Sequence, residues 1–172
     1  MSAAVGRLVL AGAVGVFVVG TGLGARLAFS SGAPPEPEAT CEVKRIETGE
    51  NLTSNLVTVH VFNASKQQGL ANRVRTNLER RAFLGGLAQN NPGAIKASNV
   101  TVLTSDPSDP QVRLVAAQFN GKVATAPADF ATEKEGVSLL VGTDFKGLKK
   151  DAPTAIKVDR PVSVCLPTVT LP

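Results

Sequence analysis

The chain of 172 residues is long enough for one folded domain with accessory segments, and its 43% hydrophobic content can supply a core. Aromatic residues make up only 4%, without Trp or Tyr, which argues against sugar-stacking clefts and base-stacking nucleic-acid surfaces. The net charge is +4, but two of the cations, Arg7 and Arg26, flank an apolar run. The basic pI is therefore weak support for a nucleic-acid partner, and we expect none.

Residues 1–29 are predicted to form a transmembrane anchor. Residues 8–25 carry no charge, and an apolar run of about 20 residues crosses the hydrocarbon core as a helix. The alternative is a cleaved signal peptide, since small residues suitable for cleavage are present. The length and Arg26 favour the anchor, and Arg7 favours a cytoplasmic N-terminus. Both alternatives place residues 30–172 outside the cytoplasm, as a single-pass protein of the cell membrane if the anchor is retained.

Residues 30–40 (SSGAPPEPEAT) are predicted to be an extended, solvated linker, followed by a domain over 41–166 and a flexible tail over 167–172. The only cysteines of the sequence are Cys41 and Cys165. In an oxidising compartment one intramolecular disulfide is the simplest interpretation, with two free thiols or intermolecular pairing as alternatives. Without a Cys-x-x-Cys pair or a neighbouring His, a redox enzyme is not indicated.

The domain's pattern predicts strands and helices in alternation. Residues 56–62 (LVTVHVF) alternate as a strand, and a helix over 70–81 follows with Leu70, Val74 and Leu78 on one stripe. A second helix is predicted from Pro110 to Phe119, with Asp109 as its N-cap. Further strands or extended segments are predicted at 83–89, 99–103, 123–126, 137–141, 155–158 and 162–165.

This order predicts an α/β fold, a two-layer sandwich with two helices packed on a mixed β-sheet. The leading specific topology is a ferredoxin-like plait. The domain would be preceded by the single transmembrane helix.

The sequence offers few groups for catalysis. The single histidine, His60, lies in mid-strand and is expected to be a partly exposed structural residue. No second imidazole is present to complete a metal site with it, and no hydrolase, nucleotide-binding or zinc motif occurs. We therefore predict no catalytic residues, no metal and no cofactor.

The turn from Asn63 to Gly69 is the one local feature with binding character. A strand end that leads into a helix N-terminus presents free N–H groups to an anion, and the side chains of Asn63 and Ser65 could add donors. The alternative is that Asn63 and Ser65 only close the turn and cap the helix, and that Gly69 serves the chain reversal.

A basic surface is also predicted on the first helix. It would present Arg73, Arg75, Arg80 and Arg81 to phosphate-bearing polymers or lipid head groups. The alternative is an ordinary solvated helix face. Three lysines further along the chain would extend the surface, namely Lys146, Lys149 and Lys150.

The stretch VTVHVFNASKQQGLA at residues 57–71, followed by Leu78 and Phe83, resembles the LytR C-terminal domain family. That family's pattern is an alternating strand, Asn, a small residue, Ser or Thr, a polar loop, Gly-Leu-Ala, a helix and a Gly-Phe pair. Ala82 replaces the usual Gly here, which puts in doubt the family's left-handed helix cap. The resemblance covers roughly residues 55–145 and extends loosely through 100–103 and 139–142.

The resemblance implies an envelope protein of a Gram-positive bacterium, in particular an actinobacterium, without the glycopolymer-transferring catalytic domain of larger relatives. We hypothesise a membrane-anchored, non-catalytic module that binds cell-wall glycopolymer, peptidoglycan or the envelope-assembly machinery. The second hypothesis is a protein–protein scaffold or regulator of a membrane complex. The least favoured is an unrecognised envelope hydrolase or transferase. The ligand, the oligomeric state and the exact sheet topology stay open.

Overall fold

The computed structural model describes residues 41–133 and 135–168. They belong to a compact unit that spans Thr40–Pro172, and a second unit spans Met1–Ala39. The predicted anchor, the linker and the last four residues of the predicted tail lie outside the described residues. Among the described residues, no helix combines the length and the apolar character that a membrane crossing requires.

The described residues form two α-helices and nine β-strands. The helices are α1 (Leu70–Glu79) and α2 (Pro110–Ala116). A 3₁₀ turn occupies Ser54–Leu56. The strands are β1 (Cys41–Ile46), β2 (Asn51–Thr53), β3 (Thr58–Asn63), β4 (Leu84–Asn90), β5 (Val100–Leu103), β6 (Val123–Ala126), β7 (Val137–Val141), β8 (Ala155–Lys157) and β9 (Val162–Pro167).

The central sheet has five strands in the order β4-β3-β7-β5-β6. Strand β3 pairs in parallel with β4 and β7, β5 pairs in parallel with β6, and β5 pairs antiparallel with β7. The predicted mixed sheet is therefore confirmed. The predicted ferredoxin-like plait is wrong, because a plait separates the two strands joined by a helix. Here α1 and α2 each connect strands that are direct neighbours.

Both helices pack on one face of the sheet, as predicted. Val59, Val61 and Leu139 project from this face and are at most 1% exposed. They share one core with Val74 of α1 and Val115 of α2. The 3.6-residue spacing of the helix stripe and the two-residue alternation of the strands together produce this layer.

The other face of the sheet carries a smaller core. Phe62, Leu103 and Leu140 form it with Ala97, and the partly buried Ala64, Ile95 and Phe130 pack against it. Loop residues 91–98 and 127–133 thus cover this face. His60 is only 6% exposed, because its ring lies against Gly86, Leu87 and Glu135, and this corrects the prediction that it is partly exposed.

Two short two-stranded sheets, called ribbons below, complete the domain. Strand β1 pairs antiparallel with β9, and β2 pairs antiparallel with β8. Strands β1 and β2 were not predicted, since β1 is short, charged and largely exposed. Cys41 and Cys165 form the predicted intramolecular disulfide across the first ribbon, with their Cα atoms 5.4 Å apart. The ribbons bury Ile46, Leu52 and Val164 in the main core.

The helix ends follow capping rules. The Asp109 carboxylate accepts hydrogen bonds from Gln111 N at 2.7 Å and Val112 N at 3.4 Å, so the predicted N-cap is confirmed. Helix α1 ends at Glu79 rather than at residue 81, and Ala82 has φ +66°. Phe83 N donates to Leu78 O and Ala82 N donates to Glu79 O. These are the two bonds of a Schellman cap, so the left-handed cap forms although Ala replaces Gly.

Candidate ligand-binding cleft

A cleft of about 460 Å³ lies at the carboxyl ends of β3 and β4. In open α/β sheets, ligands bind outside the carboxyl ends of parallel strands, where connections on the two sides of a strand diverge. The cleft shares the first of these features, since it lies at the edge where β3 and its two parallel partners, β4 and β7, end. The cleft is lined by Asn63, Ala64, Ser65, Lys66, Gln68, Asn90 and Asn91.

The side chains of Asn63 and Ser65 organise the turn that forms one wall. The Asn63 carboxamide donates to Gln67 O at 2.8 Å and accepts from Ser65 N at 3.0 Å and Ser65 Oγ at 2.7 Å. Ser65 Oγ in turn accepts from Gln67 N at 3.1 Å. Gly69 has φ +71°, a conformation that favours glycine, and it begins α1 without a side-chain cap. These bonds favour the turn-closing interpretation of Asn63 and Ser65, and direct ligand contact by them stays a prediction.

The groups left for a ligand are Lys66, Gln68 and Asn90. All three are exposed, and their side chains make no hydrogen bond or ion pair with other residues of the described ranges. The lining therefore offers carboxamides and one cation, and it contains no carboxylate. Such groups bind hydroxyls, amides and anions, but they do not provide a nucleophile activated by a base.

The predicted turn from Asn63 to Gly69 includes Lys66 and Gln68, whereas Asn90 and Asn91 were not predicted as lining residues. The signal that could have found them is the Asn90-Asn91 pair directly after a predicted strand. The pair indicates a site near Asn63 only if β4 is known to lie beside β3, because parallel strands end at the same edge of the sheet.

Asn91 fixes the second wall of the cleft. Its backbone N–H donates to Asn63 O at 3.0 Å, which joins the two walls. Its side chain donates to Ile95 O at 2.9 Å and accepts from Gly93 N at 3.0 Å. The wall is thus a closed loop that starts at the end of β4.

The predicted basic surface divides into two groups. Arg75 pairs with Glu79 at 2.6 Å, and the Arg81 guanidinium donates to Gln118 Oε1 at 3.1 Å and to Lys149 O at 2.5 Å. The guanidinium groups of these two arginines bind other groups of the domain. Arg73 and Arg80 are exposed, as are the three lysines of the prediction, Lys146, Lys149 and Lys150. A continuous basic surface over all seven residues stays a prediction.

A smaller pocket of about 250 Å³ lies at the opposite end of the sheet, where β5 ends and β7 begins. Asp106, Asp109 and Glu135 contribute carboxylates to it. Hydrogen bonds from Ser108, and then from the guanidinium of Arg160, hold the pKa of Asp106 below its usual range. Glu135 lies within 4.8 Å of both disulfide sulfurs. Because these sulfurs are bonded to each other, they are not thiolate ligands for a metal.

His60 joins three segments of the backbone. Leu87 N donates to its Nδ1 at 3.0 Å, and its Nε2 lies 2.9 Å from Glu135 O. Since a backbone N–H can only donate, Nδ1 is the acceptor and Nε2 carries the proton. The pairing of β3 with β4 shifts register beside this ring, and a Cβ on Gly86 would lie only 2.4 Å from Nδ1. These contacts assign His60 a structural role.

Part of the chain is similar to proteins already known. Residues 56–145 match a family model described as LytR cell envelope-related transcriptional attenuator. No curated protein matches the chain. Among solved structures, the soluble domain of a conserved hypothetical secreted protein from Mycobacterium marinum is similar at 18% identity and a TM-score of 0.47. The alignment covers 66% of this chain and 78% of that one.

Proposed function

Since the chain belongs to the LytR C-terminal domain family of cell-envelope proteins, we propose that it is a membrane-anchored, non-catalytic binding module on the extracytoplasmic side. Its ligand is cell-wall glycopolymer or peptidoglycan. Residues 1–29 serve as the anchor, and residues 41–166 form the binding domain. The Cys41–Cys165 disulfide supports this location, because such bonds persist in oxidising compartments.

The observation that carries the proposal is the cleft at the carboxyl ends of β3 and β4. It is open and polar, and three of its side chains have no partner within the described ranges. Hydroxyl-rich polymers are recognised through such donors and acceptors, and the absence of a carboxylate from the lining suits a polymer that carries negative charge.

A non-catalytic role is consistent with the chemistry of this cleft. General acid–base catalysis most often uses an imidazole or a carboxyl group within hydrogen-bond reach of the reacting atoms. The lining contributes carboxamides, one hydroxyl and one ammonium, and that hydroxyl is already bonded to Asn63. The only imidazole of the chain lies on the covered face and is bonded to backbone groups through both nitrogens.

A second candidate function is a scaffold or regulator of a membrane complex. It draws support from the two end strands of the central sheet, β4 and β6, each of which has one partner strand in the described sheet. An unpaired strand edge can bind an extended segment of another protein through backbone hydrogen bonds. Crosslinking in cells discriminates between the two functions, because a scaffold returns defined proteins rather than wall fragments.

The test of polymer binding is co-sedimentation of the full-length protein, in detergent, with purified cell wall that retains its glycopolymers. We expect retention at low salt and partial release at moderate salt, since exposed charges are screened over about 10 Å at 0.1 M ionic strength. No retention at either salt concentration defeats the proposal.

The charge-reversal variant Lys66→Glu tests whether the cleft makes the contact. Lys157→Glu is the matched control, because Lys157 is exposed, lies in β8 and does not line the cleft. We expect Lys66→Glu to weaken binding about tenfold and Lys157→Glu to leave it within about twofold. Equal weakening by both variants would indicate attraction to net charge alone and would remove the cleft from the proposal.

A further inference from the structure

The loop that follows β4 links the cleft to the smaller core on the other face of the sheet. Asn91 at its start lines the cleft, while Ile95 and Ala97 at its end pack with Phe62. The bonds of the Asn91 side chain to Gly93 and Ile95 keep the loop compact. A shift of this loop therefore moves one wall of the cleft.

Asp129 holds the loop from a distant part of the chain. One carboxylate oxygen of Asp129 accepts hydrogen bonds from Ala94 N at 2.6 Å and Ile95 N at 3.1 Å. The other carboxylate oxygen lies only 2.2 Å from the position of a Cβ on Gly93, so a larger residue there would displace the carboxylate. Charge-assisted bonds of this kind are stronger than those between neutral groups.

The next residue fixes Asp129 relative to the sheet. The ring of Phe130 contacts that of Phe62 edge to face, with centroids 5.0 Å apart. Ala64, which lines the opposite wall of the cleft, packs against the same core. Both walls of the cleft thus rest on one apolar cluster, and the segment that carries Asp129 is attached to that cluster.

We propose that Asp129 is a positioning residue for the cleft, which sets the Asn90–Asn91 wall by holding the backbone at Ala94 and Ile95. The inference rests on the proposed function for its ligand, but the hold on the loop is a property of the protein alone. Asp129 does not line the cleft and has no need to touch the polymer.

The experiment combines hydrogen exchange with cell-wall binding on the full-length protein in detergent. Asp129→Ala removes both bonds, and Asp129→Glu restores the carboxylate. Asp151→Ala is the matched control, since Asp151 is an exposed carboxylate without a partner in the described ranges and causes the same change of charge. Exchange is followed by mass spectrometry in residues 92–97 and, as a reference, in the buried strand β7.

We expect Asp129→Ala to speed exchange at Ala94 and Ile95 about tenfold, because a local bond to a carboxylate is lost. Exchange in β7 and the denaturation midpoint change by no more than the loss of the two bonds accounts for. A loss of global stability from another cause would leave exchange in residues 92–97 unchanged, because these residues exchange through local opening. Co-sedimentation with purified cell wall weakens three- to tenfold. Asp129→Glu recovers part of both effects, and Asp151→Ala shows neither.

Unchanged exchange in residues 92–97 of Asp129→Ala overturns the inference. Faster exchange with unaltered binding also overturns it, because the loop would then be held by Asp129 without consequence for the cleft. If the wild type does not bind cell wall, the proposed function fails. The exchange measurement alone then decides whether Asp129 holds the loop.

Discussion

Removal of the Cys41–Cys165 disulfide should cost the domain much of its stability. The two residues are 124 positions apart, and the entropy of closing a loop of that length in the unfolded chain corresponds to roughly 4–5 kcal/mol. Domains of this size are commonly stable by about 5–15 kcal/mol, so the bond accounts for a large share.

The folded state should change little when the disulfide is removed. The loss of stability can therefore be attributed to the unfolded chain. Cys41 pairs with Pro167 and Val43 pairs with Cys165 in the register of β1 and β9, so the two cysteines stay neighbours without the bond. Ile46 and Val164 remain buried in the main core. The double variant Cys41→Ser/Cys165→Ser should therefore fold to the same structure.

The assay is urea unfolding of a protein that comprises residues 40–172, the compact unit that contains the main core. We expect a loss of about 4 kcal/mol in the free energy of unfolding, together with a larger dependence on urea, since the unlinked unfolded chain exposes more surface. Ser163→Ala in β9 controls for changes at the ribbon surface. A loss below about 1 kcal/mol, with an unchanged urea dependence, would refute the loop-entropy reasoning.

Three further predictions concern local features, and four substitutions test them. Ala82→Gly should raise the free energy of unfolding by about 0.5–1 kcal/mol, because it relieves the positive φ, whereas Ala117→Gly at φ −62° should lower it. His60→Phe should lower the free energy of unfolding by about 2–4 kcal/mol, since a backbone N–H and a backbone carbonyl lose their partner. Urea unfolding measures the change in each of these variants. The lowered pKa of Asp106 means that its bonds stabilise the fold above the unfolded pKa of 3.8 and that this contribution disappears as the pH falls through the folded pKa. Asp106→Asn should therefore flatten the decline of the thermal midpoint below about pH 4, and an equal decline in both proteins would contradict this assignment.

Local patterns predicted the elements of the central sheet and its helices well. The alternation of Val59 and Val61 and the stripe of Leu70, Val74 and Leu78 each report which face is buried, because burial follows the period of the element. The N-cap at Asp109 could also be predicted from the sequence, since its hydrogen bonds are made to residues two and three positions away.

What the sequence could not supply depends on contacts between distant segments. Strand β3 pairs with β7, whose residues lie more than 70 positions further along the chain, and no local pattern reports that pairing. His60 is buried because Leu87 and Glu135, which lie 27 and 75 positions further along the chain, are brought against its ring. The cleft likewise exists only where Asn90 is brought beside Asn63.

The position of the disulfide also determines how the domain responds to force. Cys41 is the residue where β1 begins, and it is bonded to Cys165 in β9. A pull applied to the chain before Cys41 and after Cys165 therefore passes through one covalent bond and leaves the intervening residues unloaded. Without that bond, the same pull could draw out the 124-residue segment, roughly 400 Å of contour length, after peeling β1 from β9 one backbone bond at a time. The module therefore keeps its folded length under a tension that would extend its reduced form.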